Sequence, residues 1–343
     1  MERYTALALQ SRCDAVNRMD TAQARASMLA TIARIDDEIA GSLVLTGPDT
    51  RLVVLPEYFM TAYPLGESID GWAEKAAIAP DGPEYEAMGA IAQKYNIWLS
   101  GNAYETDTHF PGYYFQCSFV VGPDGDVILR YRRLISMFAP TPHDVWDRYL
   151  DIYGKDAIFP VVDTAIGRLA CVASEEILFP EITRALANKG AEILLHSSSE
   201  VASPELTPKE IARRARAIEN CMYVITANTA GVHGAGIPPM SVDGQSKIVD
   251  YKGKILASAD SGQSMSANAG IDLAALRAYR QRPGMPNYFA RQRLELFADT
   301  YSQSIYPANS LTESSKRGEV PAREHFIKMQ RDTIQALKDS EKL

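Results

Sequence analysis

Short apolar runs of strand length alternate with longer amphipathic stretches of helix length, and the alternation passes through the chain twice, each round closed by a tight hairpin. In the first round "TALALQ", "RLVVLP" and "IWLSGNAYE" read as strands, and 20–41 and 83–95 as helices. The hairpin follows in "YYFQCSFVVGPDGDVILRYRR", turning at Pro123-Asp124-Gly125, where Pro presets φ and Gly accepts a positive one. A helical stretch near Asp144 to Tyr153 leads into the second round. There "FPVVDT", "GRLACVA", "AEILLHS" and "YVITANT" are strand-like, with helices near 180–189 and 207–219. "QSKIVDYKGKILASA" closes it with a hairpin turning at Tyr251-Lys252-Gly253. Such alternation predicts α/β layering with parallel and antiparallel strand pairs. Two hairpin-closed halves point to a pseudo-symmetric sandwich.

No Gly-, Ser- or Pro-rich linker divides the first 280 residues, so 1–280 is expected to form one domain. From about Gln281 the texture turns charged and polar, and 281–343 reads as a C-terminal extension, helical in "QRPGMPNYFARQRLELFADTYSQ" and "REHFIKMQRDTIQALKDSEKL". Such an extension suits contacts with a neighbouring subunit. A composition 46% hydrophobic and 23% charged is that of a soluble globular protein. A formal net charge of -8 speaks against nucleic acid or an anionic membrane as the partner, and no apolar run is long enough to span a bilayer. The first residues lack the pattern of a secretory signal. Cys13, Cys117, Cys171 and Cys221 are widely spaced, with no metal-ligand pattern, and read as reduced core thiols of a cytoplasmic protein.

Three stretches carry the chemistry, and three framework stretches follow them. "RLVVLPEYFMTAYP" places Glu57 after Leu-Pro, and "GDVILRYRRL" places Arg133 after Tyr-Arg. "IGRLACVASEEILFPEITR" places Ser174 five residues before Phe-Pro-Glu, at an apparent strand–turn–helix junction. "GAEILLHSSSE", "ARAIENCMYVITAN" and "GQSKIVDYKGKIL" follow in order. Over roughly residues 4 to 280 this set resembles the carbon–nitrogen hydrolase, or nitrilase, superfamily. The resemblance implies a four-layer αββα sandwich and commonly a dimer or larger homo-oligomer. It also implies hydrolysis of a small amide or nitrile by a Glu base, a Lys oxyanion stabiliser and a Cys nucleophile, without metal or organic cofactor.

Carried over position by position, only the base matches, at Glu57. Arg133 stands in the lysine's place and Ser174 in the cysteine's. The segment expected to hold a second Glu, "MFAPTPHDVW", offers Thr141, His143 and Asp144 instead. Tyr58, Glu175 and Ser198 are further candidates to support the site or bind substrate. Cys171 lies three residues before Ser174 in an apolar strand, facing the opposite side, and reads as core.

A serine hydroxyl is a much weaker acid than a thiol and normally needs a base that takes its proton during attack. Glu57 would serve only with a raised pKa, and Arg133 is placed to capture it in a salt bridge that would weaken it. His143 is a candidate base for Ser174, and Ser174 itself is a favoured helix N-cap before Ile177 to Ala187. Glu175 and Glu176 suit a first helical turn. The loop "AGVHGAGIPPMSVDGQS" stands where pocket-mouth segments do, and "RRARAIEN" reads as a solvated cationic helix face. Three readings stay open: an atypical amidase-like hydrolase, a non-catalytic protein holding a carboxylate-bearing ligand through Arg133, and a structural subunit.

Overall fold

The computed structural model of the protein describes residues 1–343 apart from Pro204, Asp243, Ser261, Gln263 and Ser264. The chain opens with β1 (Arg3–Gln10), the short β2 (Cys13–Asp14), α1 (Thr21–Thr46) and β3 (Thr50–Val54). Next come α2 (Ile69–Ala76), α3 (Pro83–Tyr95), β4 (Trp98–Thr106), β5 (Tyr114–Val121) and β6 (Val127–Arg132). The second round holds α4 (Trp146–Tyr153), β7 (Val162–Thr164), β8 (Gly167–Ala173), α5 (Pro180–Asn188), β9 (Ile193–Ser198) and α6 (Pro208–Asn220). It ends with β10 (Tyr223–Asn228), β11 (Val232–His233), β12 (Lys247–Val249), β13 (Ile255–Ser258), β14 (Met265–Asp272) and α7 (Leu273–Gln281). Beyond lie α8 (Ala298–Tyr301), α9 (Thr312–Lys316) and α10 (Arg323–Asp339).

Two six-stranded sheets result, ordered β14-β1-β3-β4-β5-β6 and β13-β12-β10-β9-β8-β7. In each, three central strands are parallel and the flanking ones antiparallel. Strand alternation explains the layering. Ala6, Ala8, Leu52 and Val54 point from the first sheet into a core shared with Leu169, Cys171, Leu195 and Ile225 of the second. Leu7, Leu9, Val53 and Leu55 point the other way, onto Met28, Ile32 and Ile35 of α1 and Met88 of α3. On the outer face of the second sheet, Ile182 and Leu186 of α5 and Ala217 of α6 complete the expected αββα sandwich.

The helices and hairpins expected within the first 280 residues form, and Gly125 and Gly253 take the positive φ (91° and 78°) their turns require. The edge strand β14 is not visible as an apolar pattern in the sequence; it forms by pairing along all of β1, from Arg3↔Asp272 to Gln10↔Met265. The first charged stretch after Gln281 is not one helix. Pro283, Gly284 and Pro286 interrupt it, leaving single 3-10 turns at Phe289–Arg291 and Leu294–Phe297 before the four-residue α8. From Asn309 the tail returns to its own chain: Leu311 N–H donates to Asp144 O at 2.8 Å and Tyr113 Oη to Glu319 O at 3.1 Å. Leu311 and Phe326 join the core beneath the first sheet. Among the described residues no helix is long and apolar enough to cross a membrane.

Candidate active site

β8 lies in the second sheet between β7 and β9, and its last residue feeds Ser174 into a left-handed conformation with φ 48°. That region is strained for any residue with a Cβ and collects at functional sites. Ser174 begins a 3-10 turn, Ser174–Leu178, and Phe179 is then extended before α5 starts at Pro180. Ser174 is therefore not the cap of a helix running through Ala187. Pro180 disfavours helical backbone at the residue before it and cuts the first turn from α5. His196 Nε2 lies 2.8 Å from the Ser174 carbonyl, and its Nδ1 lies 3.1 Å from Thr226 Oγ1. Burial, with help from Arg213, pushes the His196 pKa well below its ordinary value. A neutral ring donating through Nε2 and accepting at Nδ1 fits both contacts, and it pins the turn from beneath.

Glu57 is buried, 1% exposed, just past the end of β3. Its Oε1 accepts from Gln116 Nε2 at 2.7 Å and its Oε2 from Ser199 Oγ at 2.7 Å. Its backbone is tied across the sandwich, N–H donating to Ser198 O at 3.3 Å. Gln116, on β5, is the hub of the base: its Oε1 accepts from Tyr58 Oη at 2.9 Å and from Arg133 Nη1 at 2.8 Å. Arg133 stands 3.9 Å from Glu57 Oε1, an ion pair without a hydrogen bond. The expected two-point capture of Glu57 by Arg133 does not form, because the Gln116 amide accepts a hydrogen bond from Arg133 through its oxygen and donates one to Glu57 through its nitrogen. Arg133 Nη2 donates instead to Glu175, and its Nε to Ile135 O at 2.6 Å.

Glu176, next to Glu175, is fully buried and acts between elements. Its Oε1 accepts from the N–H groups of Leu134 and Ile135 at 2.7 and 3.1 Å, and its Oε2 from Tyr131 Oη at 2.9 Å. It clamps the segment just past β6, where Arg133 sits, to the turn carrying Ser174. Burial raises its pKa to about 7, against the opposing effect of Arg133 and those donors. Three charged residues of α6 reach the same region. Lys209 Nζ donates to Ser174 Oγ at 3.3 Å. Arg213 is 2% exposed and bonds Glu200 and Glu210 at 2.9 and 3.0 Å. Arg216 is buried too, against the Ile177 and Leu178 carbonyls. The "RRARAIEN" face is thus not solvated, since α6 turns these arginines onto the site-bearing turn and its neighbouring carboxylates.

A cavity of about 380 Å³ opens above these groups, of a size suited to a small molecule. Glu57, Gln116, Arg133, Ser174, Glu175 and Ser199 form its polar floor; Tyr58, Tyr63, Tyr104, Tyr114, Met137 and Phe138 form aromatic and apolar walls. Tyr58 stacks on Tyr104 with centroids 4.8 Å apart. Arg323, from the start of α10, joins the wall with its guanidinium 5.0 Å from the Phe138 ring centre.

Of the residues singled out in the sequence, Glu57, Tyr58, Arg133, Ser174 and Glu175 meet around this cavity. Ser198 does not; its side chain is buried under Arg213 Nη2 at 3.4 Å, and the cavity-facing hydroxyl is the next one, Ser199. Thr141 and Asp144 bond each other at 2.7 Å at the start of a 3-10 turn, and Asp144 accepts from Ser310 Oγ at 2.8 Å, so they anchor the tail. His143 packs against Trp146 and Tyr306, away from Ser174. No described residue of the 230–246 loop lines the cavity. Cys171 is fully buried, its thiol pushed up to about 12 by burial. Gln116, Glu176, Ser199 and Lys209 lie in strands, turns and a helix whose local pattern gives no sign of chemistry. Among the described residues no cluster of His, Cys, Asp and Glu is arranged to hold a metal ion.

The chain is similar to a probable nitrilase of Schizosaccharomyces pombe, 24% identical over 236 residues, covering 69% of this chain and 80% of that protein. It is 30% identical over 282 residues to the nitrilase and fragile histidine triad fusion protein of Caenorhabditis elegans, spanning 80% of this chain but only 60% of that longer one. The fold matches the crystal structure of a carbon–nitrogen hydrolase from Helicobacter pylori with a TM-score of 0.66 at 23% identity, over 88% of this chain and 99% of that one. The carbon–nitrogen hydrolase family model matches residues 15–281. With its two-sheet sandwich and the Glu57, Arg133 and Ser174 positions gathered at one cavity, the chain belongs to the carbon–nitrogen hydrolase family.

Proposed function

We propose that this family member cleaves a non-peptide C–N bond, amide or nitrile, of a small molecule, with Ser174 as nucleophile in place of a thiol. The observation that carries the reading is the position of Ser174: a strained turn residue whose side chain opens on the same cavity as the buried Glu57 carboxylate and the Arg133 guanidinium. Strain of this kind persists only where the surrounding structure holds it, and here His196 and Glu176 do so. Arg133 lies where a positive charge would oppose the negative charge of a tetrahedral intermediate. Glu57, held by Gln116 and Ser199, is oriented toward the reacting region and suits the activation of the water that resolves an acyl-serine.

The ligand-holding alternative has less support, because the Nε, Nη1 and Nη2 groups of Arg133 each already donate to a protein acceptor. Incubating the protein with a panel of small amides and nitriles and measuring released ammonia or amine tests the proposal. Turnover in the wild type that falls by about 100-fold or more in Glu57→Gln is expected. No turnover above that variant, together with a carboxylate-dependent rise in melting temperature that Arg133→Ala removes, would replace hydrolysis with binding.

A further inference from the structure

We propose that Lys209 is the general base that activates Ser174, the two forming a serine–lysine pair. The inference rests on the hydrolase reading above and supplies what that reading lacks, a titratable group within hydrogen-bond distance of the nucleophile's oxygen. Lys209 Nζ lies 3.3 Å from Ser174 Oγ. The other candidates are placed elsewhere. The Glu57 oxygens bond Gln116 and Ser199 and neither bonds the Ser174 hydroxyl, His196 binds the Ser174 carbonyl rather than its hydroxyl, and His143 packs against Trp146 and Tyr306.

The lysine is held there by its element. Thr207 caps the start of α6, accepting from the Glu210 N–H at 3.2 Å. Glu210 in turn is gripped by Arg213 at 3.0 Å and by Lys247 at 2.5 Å. Lys209 thus projects from a braced first turn onto the β8 turn. The groups acting on its charge are Glu57, Glu200 and Glu175, which favour the ammonium, and Arg213, which opposes it; burial outweighs them and lowers its pKa. That shift favours the free amine, the form base chemistry requires.

In the first step the Lys209 amine takes the Ser174 hydroxyl proton as Oγ bonds to the amide carbon. The carbonyl electron pair moves to oxygen, facing Arg133. As the carbonyl re-forms, the C–N bond breaks, and the proton on Lys209 passes to the leaving nitrogen, which departs as amine or ammonia. Water then attacks the acyl-serine ester, giving a proton to Glu57 or to the now neutral Lys209. The ester C–O bond breaks, Oγ regains a proton, and a carboxylic acid leaves. The net reaction consumes one amide and one water.

A substrate-independent probe tests the pair: an alkyl fluorophosphonate, whose P–F bond is exchanged for a bond to an activated serine oxygen, followed by peptide mass analysis across pH. We expect wild type to label at Ser174, faster as pH rises while Lys209 deprotonates. Lys209→Met should label at least about 100-fold more slowly. Lys209→Arg, which keeps the charge and reach but stays protonated, should fail equally while preserving the melting temperature. Glu57→Gln removes a negative charge that holds the proton on Lys209, so its profile should move to lower pH. Labelling unaffected by Lys209→Met or Lys209→Arg, labelling lost at every pH in Glu57→Gln, or no Ser174 labelling in wild type would each overturn the pair. If labelling ignores Lys209 while the amide panel shows turnover, the pair fails and the hydrolase reading stands. If Lys209-dependent labelling accompanies a silent panel, the pair stands and the hydrolase reading fails.

Discussion

Ser174 combines two demands on one residue. Its hydroxyl must face the cavity, and its backbone must take a conformation that glycine would adopt freely. Both Ser174→Gly and Ser174→Ala lose the hydroxyl and its contact with Lys209, so their difference isolates the backbone. The glycine variant should be the more stable by about 1 kcal/mol in denaturant unfolding; equal stability would show that the turn carries no strain. The same tension recurs in the loop after Glu57, where Tyr58, Ala62 and Leu65 have φ of 53°, 61° and 47°. At this scale the sequence was informative where a motif fixes a residue by counting: Glu57 after Leu-Pro, Ser174 before Phe-Pro-Glu, Cys171 facing away. It was uninformative for Gln116, whose amide separates Arg133 from Glu57, because nothing in "YYFQCSFVV" distinguishes that glutamine from any other strand residue.

Between elements, Glu176 joins the end of β6 to the Ser174 turn with its carboxyl shut away from water. Its pKa is raised from the model-compound value of 4.5 to about 7, so between those pH values the folded protein holds a proton that the unfolded chain has lost. Stability through this group is therefore highest below about 4.5 and falls as pH rises toward 7. Burial causes the rise, and Arg133 and the Tyr131 hydroxyl oppose it. Glu176→Gln, which keeps an acceptor for the Leu134 and Ile135 N–H groups, should flatten this part of the stability–pH curve measured by denaturant titration. An unchanged slope would contradict the assignment. Element boundaries were legible where turn chemistry marks them, as at Pro123-Asp124-Gly125. The edge strand β14 was not, because it exists through pairing with β1, and the burial of α6 was not, because Arg213 and Arg216 look solvated in sequence but meet Glu200 and the Ile177 and Leu178 carbonyls.

For the molecule as a whole, the two rounds of alternation seen in the sequence become the two sheets, and the site forms because those sheets pack face to face. Glu57, Gln116 and Arg133 come with the first sheet, Ser174 and Ser199 with the turns at the ends of the second, and Lys209 with a helix covering it. The pattern of apolar runs predicts such layering. It does not predict which side chains meet across it, which is why Lys209, 35 residues from Ser174 in sequence, emerges only in three dimensions. Likewise the extension after Gln281 reads as a separate tail, yet it places Arg323 in the cavity wall and Leu311 in the core. The proposed hydrolysis depends on covalent chemistry at one oxygen, Ser174 Oγ. Acid quenching during turnover of an amide found in the panel, followed by mass analysis of the peptide spanning 169–184, tests it most directly. An acyl mass on Ser174, absent in Ser174→Ala, is predicted; turnover that continues in Ser174→Ala, or an acyl group found on a cysteine instead, would contradict it.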